Sequence, residues 1–359
     1  VVQEDAVVID QTPPSQVTGL EHIDSSANSG FDDDGDVKFA WSPASDETSG
    51  VTNYSVAVST DGGDTFGSFT KTPDAETSFV VQASEGDNVS VKVRGVDAAG
   101  NTGNSVKSES VLVDTTAPEA SIFSPLVDDG IINSAEAGSF RINGTVENDE
   151  SGSFDVDVSD GVSSTARSNL GFASSEFSST LDVSVLQDRE VTATVVPTDP
   201  AGNTGSPASR VLLKDTEAPS LIEGYREGLK AVNVSVSDQV SGLNTSSFET
   251  EDFKADPGEV SGISTFFDTG DKAGNVTVFL QEKVDSDPVE ISVSGSISDV
   301  AGNSASGDSV TAQNMDGLAP SLSNLSLKDT TDQDVTVSEV SKVTVSAGVT
   351  DGESFSQGE

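Results

Sequence analysis

A two-part segment recurs along the chain at a fixed spacing. Its first part is an Asp-x-Ala-Gly-Asn turn, and its second part, reached after a short apolar run, is an Asp-x-x-Ala-Pro linker. The linker Asp falls at positions 114, 215 and 316, so the repeat is 101 residues long. A fainter linker, Asp10-Gln-Thr-Pro-Pro14, stands 104 residues before the first. We call these the turn segments (97–101, 199–203, 299–303) and the junction segments (10–14, 114–118, 215–219, 316–320).

A fixed repeat sets the number of domains before any other argument. The spacing predicts three whole modules, at residues 11–114, 115–215 and 216–316. Residues 1–10 are predicted to be the last strand of a preceding module, and residues 317–359 the start of a further, incomplete one. We therefore expect the chain to be a segment of a longer linear array.

Apolar residues alternate with other residues over long stretches of each module, as Val37, Phe39 and Trp41 do with Lys38 and Ser42. Antiparallel sheets with one solvated face produce this alternation, and no helical periodicity competes with it. The predicted fold class is all-β, with tandem antiparallel β-sandwiches. The other predicted inward-facing residues are Tyr54, Val56, Val58, Val89, Val91, Val93, Phe140, Ile142, Phe154, Val156, Val158, Leu181, Val183, Val185, Val191, Val232, Val234, Val236, Val276, Val278, Leu280, Ile291 and Val293.

Two local patterns resemble known families. The order of Val37-Lys-Phe-Ala-Trp41 and Tyr54-Ser-Val56 resembles a fibronectin type III domain, in which Trp41 would be a core residue. Most of the second module resembles the immunoglobulin-like repeats of large bacterial surface adhesins. The matching stretches are 131–137, 143–146, 181–188 and 191–195, leading into the turn segment at 199–203. The third module looks like another immunoglobulin-like variant.

Acidic residues outnumber basic ones by 61 to 17, for a formal charge of -44. Disorder is one reading of such a composition, but the sustained alternation favours a folded chain. Concentrated salt would screen the repulsion, since it shortens the Debye length from about 8 Å to about 3 Å at 1 M. The charge indicates a halophilic source, or neutralisation by multivalent cations. It disfavours nucleic acid and anionic membranes as partners, because both require basic patches.

The sequence offers little for catalysis. His22 is the sole histidine and is predicted to lie in a surface loop; the chain has no cysteine and no Gly-rich phosphate loop between a strand and a helix. We therefore predict a protein that is not an enzyme.

Calcium is the stronger chemical hypothesis, since it binds six to eight oxygens from carboxylates, amides and carbonyls. The loops of an immunoglobulin-like sandwich cluster at its two ends, and the two halves of the repeated segment lie at opposite ends of one module. Asp114 would therefore meet Asp199 and Asn203 of the following module, with Asp149 or Glu150 nearby. By the same logic Asp10 would meet Asp97 and Asn101, and Asp215 would meet Asp299 and Asn303.

The turn segments also have an interpretation without metal. Gly and Asn tolerate a positive φ and Asp caps turns, so Asp-x-Ala-Gly-Asn is suitable for a hairpin on its own. A further copy at 271–275, inside the third module, shows that the motif is not restricted to module ends. The acidic runs at 32–36 and 128–130 are weaker candidates for a cation site, and solvated loops are the simpler interpretation of both.

Seven Asn-x-Ser/Thr sequons are candidates for N-glycosylation if the chain is exported. They are Asn53, Asn88, Asn143, Asn233, Asn244, Asn275 and Asn324. Asn88 and Asn233 are predicted to lie on the outward face of their strands.

These observations favour a non-enzymatic segment of an extracellular surface or filament protein: a stalk, adhesin, surface-layer or pilus-like structure. Its expected partners are other copies, neighbouring surface proteins and surface glycans. Two alternatives remain open. The modules could be accessory domains of a secreted carbohydrate-active or proteolytic enzyme, or part of a viral fibre that binds a host surface.

Overall fold

The fold was taken from a computed structural model. It describes residues 9–23, 30–124, 126–149, 151–286, 288–314, 321–328 and 344–350. Predictions for residues 1–8, for Glu150, for the junction segment at 316–320 and for the side chain of Asn324 lie outside this description.

The chain divides into two compact units. The first contains Val1–Leu126, Ser139–Leu186 and Val191–Leu212, and the second contains Val127–Gly138, Gln187–Glu190 and Leu213–Glu359. The three module boundaries stay a prediction. No sheet formed by the described strands crosses them.

Nine strands lie between residues 18 and 113. They are β1 (Thr18–His22), β2 (Phe31–Asp32), β3 (Asp36–Ser42), β4 (Val51–Ser59), β5 (Thr70–Lys71), β6 (Ser78–Gln82), β7 (Asn88–Asp97), β8 (Val106–Lys107) and β9 (Val111–Val113). One sheet has the order β1-β3-β6, and the other has the order β2-β9-β7-β4-β5, with β8 on β7. The apolar residues of both sheets form one core, in which Trp41 packs edge-on against Tyr54 with ring centroids 5.3 Å apart.

Eight strands between residues 119 and 214 form the second sheet system. They are β10 (Glu119–Ile122), β11 (Ile131–Ile132), β12 (Phe140–Glu147), β13 (Ser151–Ser159), β14 (Ser164–Ala173), β15 (Glu176–Leu181), β16 (Glu190–Thr198) and β17 (Ala208–Lys214). Their hydrogen-bonded order is β10-β12-β15-β14-β13-β16-β17-β11. The β11–β17 pair is parallel, as is the β2–β9 pair of the preceding segment. A short 3-10 helix, Ala137–Ser139, precedes β12.

The third sheet system follows residue 219. Its strands are β18 (Ser220–Arg226), β19 (Ala231–Ser237), β20 (Phe253–Asp256), β21 (Val260–Phe266), β22 (Ala273–Leu280), β23 (Val289–Val293), β24 (Ile297–Ser298), β25 (Ser304–Ala305) and β26 (Ser309–Asn314). Seven strands pair in the order β20-β23-β26-β18-β19-β22-β21, while β24 and β25 form a separate hairpin. Two 3-10 turns, Thr245–Ser247 and Thr250–Asp252, precede β20. After the third sheet system, β27 (Ser321–Lys328) pairs antiparallel with β28 (Thr344–Thr350).

The all-β prediction is confirmed, and nearly all of the predicted inward-facing residues are buried. Val58 is only partly buried, and Val185 is 72% exposed. Strand β15 ends at Leu181, and a turn in which the Leu186 amide donates to the Val183 carbonyl follows it. The alternation therefore stops, and Leu186 enters the core in place of Val185.

His22 was also wrongly predicted as a surface loop residue. It lies in β1, largely buried, with its ring 5.9 Å from that of Phe39 and its Nε2 atom 3.4 Å from Oδ2 of Asp32. Asp32 is fully buried, and burial raises the pKa of its carboxyl above the ordinary value.

None of the helices in the described ranges is long and apolar enough to cross a membrane.

Candidate metal centres

The structure brings each turn segment to the preceding junction segment, as strand direction predicted. The link is the same in all three cases: the Nδ2 group of the turn Asn donates to the backbone carbonyl of the junction Asp. The distances are 3.1 Å for Asn101 to Asp10, 2.7 Å for Asn203 to Asp114 and 2.9 Å for Asn303 to Asp215. In each case the same Nδ2 group also donates, over 2.8 Å, to Oδ2 of the turn Asp.

The turn segment itself is an Asx-type hairpin. In the copy at 299–303, the Asn303 amide donates to Oδ1 of Asp299 over 2.8 Å, and the Asp299 amide donates to the Asn303 carbonyl. Gly302 has a φ of 87°, in the region where a side chain would be strained, and its counterparts in the other two copies are also positive. The turn therefore folds by its own hydrogen bonds, and its Asn is used as a bridge.

A third segment, not predicted from the sequence, adds one more carboxylate to two of these sites. It reads Ser-Asp-x-x-Ser-Gly at 45–50 and at 237–242, and we call it the loop segment. Oδ1 of Asp46 accepts from the amides of Thr48, Ser49 and Gly50, and Oδ1 of Asp238 accepts from those of Val240 and Gly242. The backbone thus fixes one oxygen of each carboxylate.

The loop segment also holds the junction Asp through its serine. Oγ of Ser49 donates to Oδ2 of Asp10 over 2.5 Å, and the amide of Ser241 donates to Oδ2 of Asp215 over 2.8 Å. The result is two clusters in which one oxygen from each carboxylate lies within 4.8 Å of the others. They are Asp10 with Asp46 and Asp97, and Asp215 with Asp238 and Asp299. Each has the oxygen-rich character that a divalent cation requires.

The second cluster is almost completely shielded from water. Asp215 and Asp299 are 0% exposed and Asp238 is 4% exposed. Burial, with the nearby charges of Asp215 and Asp238, raises the pKa of Asp299 to about 6, and burial raises that of Asp215. Among the described residues, no ion pair joins a side-chain cation to this cluster.

At the junction of Asp114, no three carboxylates of the described residues lie as close together as in these two clusters, but several acids influence one another. Asp114, Asp149 and Asp199 interact electrostatically, with Glu85 close enough to contribute. Burial, followed by the charges of Asp199, Asp114 and Glu85, raises the pKa of Asp149 to about 6. Asp149 is thus close enough to Asp114 and Asp199 to feel their charges, while its predicted role at a metal site stays a prediction.

Each of two junction segments is also held by the sheet system that it leaves. The amide and the hydroxyl of Thr115 donate to Oε2 of Glu85, and those of Thr216 donate to the carboxylate of Asp188. Asp188 also contacts the ammonium of Lys214, which is 1% exposed, and these contacts outweigh burial and lower the pKa of Asp188.

At Asp215 the loop before β12 adds two further bonds. Nδ2 of Asn133 donates to the Ala301 carbonyl over 3.1 Å, and the amide of Ser134 donates to Oδ1 of Asn303 over 2.9 Å. Both polar ends of the Asn303 amide are therefore engaged in hydrogen bonds. Asn303 was predicted as a metal ligand, but its side-chain oxygen already accepts a hydrogen bond from the Ser134 amide.

The remaining candidates from the sequence do not join these clusters. In the copy at 271–275, Oδ2 of Asp271 accepts from the Asp268 amide, and Oδ1 of Asn275 accepts from Oγ of Ser235. Oδ1 of Asp32 caps the turn at Gly35, and Oδ1 of Asp129 accepts from the Ile131 amide. These acids stabilise local turns.

Most of the described sequon asparagines are partly buried. Asn275 alone among them is exposed, whereas Asn53, Asn88, Asn143, Asn233 and Asn244 are intermediate. Nδ2 of Asn233 donates to the Tyr225 hydroxyl over 2.6 Å, so the atom that a glycan would modify is already in use. Asn275 is the sequon that the described surface leaves accessible.

Comparison with known proteins gives matches in sequence and in fold. No family model matches the chain. In sequence it is 29% identical over 126 residues to Halomucin of Haloquadratum walsbyi, an alignment that covers 33% of this chain and 1% of Halomucin. The chain therefore spans only a small fraction of the relative that it matches.

Solved structures with a similar fold include a 1.5-MDa bacterial ice-binding adhesin and a two-domain fibronectin type III segment of chicken tenascin. The adhesin is 18% identical, with a TM-score of 0.34 and coverage of 85% of this chain and 99% of that one. The tenascin segment is 11% identical, with a TM-score of 0.27 and coverage of 55% and 98%. The chain is thus similar to adhesin repeats, to fibronectin type III domains and to part of a halophilic archaeal surface protein.

Proposed function

We propose that this chain is a non-enzymatic structural segment of an extracellular surface protein, in which each described junction segment is tied to the sheet system that follows it. The observation that carries the proposal is the bridge from the turn Asn to the junction Asp carbonyl, which occurs three times with the same donor and acceptor. The same bridge at all three described junction segments suits a structural protein that is built from repeated modules. The similarity to Halomucin supports a surface location.

We further propose that calcium binds at the junctions. The buried trio Asp215, Asp238 and Asp299 supports this, because three carboxylates removed from water without a cation destabilise the fold. Calcium accepts carboxylate oxygens in flexible geometry, so the trio needs little rearrangement. The ligands would be the three carboxylates, and the Asn would position them. The same assignment applies to Asp10, Asp46 and Asp97. Asp114 and Asp199 are candidate ligands on the sequence pattern alone.

Thermal unfolding of the whole chain tests this proposal. At constant ionic strength, calcium should raise the melting temperature well beyond the rise caused by an equal concentration of magnesium, which demands a stricter octahedral geometry. Equal effects of the two ions would overturn the calcium assignment. A matched titration of the variant Asp238→Asn would show how much of the rise comes from the buried trio.

The acidic surface fits a salt-adapted source, since a net charge of -44 is tolerated best where ionic strength is high. Exposed Asn275 is the favoured position for an N-linked glycan. Intact-mass measurement of native material, with and without Asn275→Gln, would test this. A mass equal to that of the bare polypeptide would rule the glycan out. Other copies of the chain and neighbouring surface proteins are the proposed partners.

A further inference from the structure

One sheet face between residues 51 and 107 has a charge opposite to that of the chain as a whole. Four basic residues lie on it: Lys71, Lys92, Arg94 and Lys107. The first module has only one other basic residue, Lys38, which lies on the other sheet. The strands β4, β5, β7 and β8 carry a single acidic residue, Asp97, at the end of β7. We call these four residues the cationic face.

Strand register brings the four side chains together. Lys92 pairs directly with Lys107, and Arg94 and Lys71 both pair with Ser55, from its two sides. Arg94 lies two residues from Lys92, or about 7 Å along the strand. Like charges placed directly opposite each other destabilise a sheet. Some other interaction must therefore offset the repulsion between Lys92 and Lys107.

Two aromatic rings hold these cations in place. Nζ of Lys92 lies 4.1 Å from the centre of the Phe66 ring, and the Arg94 guanidinium lies 3.9 Å from that of Phe69. Phe69 is 36% exposed. Such contacts fix a side chain without neutralising its charge. Lys92 and Arg94 are therefore held in position before any partner binds.

Carboxylates of the chain itself do not neutralise the cationic face. In the described part of the chain none of its four cations has a carboxylate oxygen within ion-pair distance, although the chain carries 61 acidic residues. Nζ of Lys107 donates only to the carbonyls of Gly62 and Gly63, and Nε of Arg94 is buried without a hydrogen-bond acceptor. Asp61, in the loop between β4 and β5, accepts hydrogen bonds from the hydroxyls of Ser59 and Thr65 instead.

A complementary face exists on β10, β12 and β15, the three strands at one end of the eight-stranded order. Glu119 pairs directly with Glu147, and Glu176 pairs with Thr145, two residues before Glu147. All three glutamates are exposed. Like the cationic face, this anionic face has two like charges directly opposite each other on neighbouring strands. Its third charge, Glu176, lies on the next strand, β15, whereas Arg94 lies on the same strand as Lys92. Each face thus has a repulsion that the other would relieve.

We propose that the cationic face docks the anionic face of a second copy of this chain. This inference rests on the proposed role as a surface protein and identifies the surface through which copies pair. Repulsion between two chains of charge -44 opposes contact in dilute buffer. At about 1 M salt the Debye length falls to about 3 Å, which removes the long-range repulsion and leaves the pairs that are in direct contact.

Sedimentation equilibrium of the whole chain in about 1 M NaCl with a chelator tests the proposal. The wild-type chain should self-associate, and Lys92→Glu/Arg94→Glu should weaken association by about tenfold or more. The control Lys38→Glu/Lys254→Glu makes the same change in net charge at exposed residues elsewhere and should associate like the wild type. Mixing the Lys92→Glu/Arg94→Glu chain with a Glu119→Lys/Glu147→Lys chain should restore association. Melting curves confirm that every variant folds.

Three results would overturn the inference: a wild-type chain that stays monomeric, a control that weakens as much as the test variant, or a charge-swapped mixture that does not associate. A fourth would reassign the face: binding of a carboxylated polysaccharide that depends on Lys92 and Arg94, without pairing of chains. Because the chelator removes calcium, none of these results bears on the calcium proposal, which thermal unfolding tests separately.

Discussion

The backbone carbonyl of Asp215 accepts a hydrogen bond of 2.9 Å from Nδ2 of Asn303, a residue 88 positions later in the chain. The bond is buried, and the same Nδ2 group also reaches Oδ2 of Asp299. Asn303 therefore joins the start of the third sheet system to the turn near its end. We therefore propose that Asn303 positions the carboxylates beside it.

Replacing Asn303 with Ala should lower the stability of the chain whether or not calcium is present. Each buried hydrogen bond lost costs about 1 kcal/mol, and the carbonyl left without a donor adds to that cost, so we expect a loss of about 2–3 kcal/mol. Chemical denaturation measures it. The increment from calcium should remain, because the carboxylates are intact. Loss of the whole calcium increment would instead show that Asn303 is a ligand.

Asp238→Asn should have opposite effects in the two conditions. Without divalent cations it should stabilise the chain by about 1 kcal/mol, because it removes one of three buried like charges and keeps the oxygen that accepts from Val240 and Gly242. With calcium it should reduce the stabilisation, because a charged ligand is gone. The control is Asp268→Asn at an exposed residue, for which both differences should be close to zero.

Stability without divalent cations should fall as pH rises from about 4 to 7. The pKa values of Asp299 and Asp149 are raised to about 6 in the folded chain, so the folded state binds more protons than the unfolded state in this range. That contribution is fully present below the ordinary pKa of 3.8 and is lost as pH passes about 6. The expected loss is about 2 kcal/mol per group, and saturating calcium should flatten the profile. A profile that calcium leaves unchanged would contradict this.

Asp188→Ala should be more harmful than Glu85→Ala. Both carboxylates hold the Thr of a junction segment, but Asp188 also neutralises Lys214, which is 1% exposed. Leaving a buried ammonium unpaired lowers the stability by about 3–5 kcal/mol. Loss of Glu85 removes only its hydrogen bonds to Thr115, which lowers the stability by about 1–2 kcal/mol. Denaturation of the two variants should separate them. In Lys214→Met/Asp188→Asn most of the difference should disappear.

The class of fold and most of the core could be predicted because alternation reports directly which strand face is buried. Val232, Val234 and Val236 are all buried as their spacing indicates. The prediction failed at Val185, where a strand ended and the spacing no longer carried information. It failed at His22 for a related reason, since a lone residue in a short strand has no periodic neighbours that indicate its environment.

The meeting of junction and turn segments could also be predicted, because strand direction decides which ends of a sandwich coincide. The loop segment was missed. Its signal, Ser-Asp-x-x-Ser-Gly at 45–50 and 237–242, is present in the sequence but does not share the 101-residue spacing. The role of the three Asn residues was beyond prediction as well, since an amide can donate or accept and only its neighbours decide which.

The parallel pairing of β11 with β17 has a mechanical consequence. Asp215 directly follows the last residue of β17, and its amide donates to the carbonyl of Ile132 in β11. A force applied at Asp215 along the strand would therefore pull β17 lengthwise past β11, loading the bonds between them in shear. Bonds loaded in shear break together, whereas bonds at a peeling end break one after another. The ion pair between buried Lys214 and partly buried Asp188 lies at this same point and would resist the first displacement.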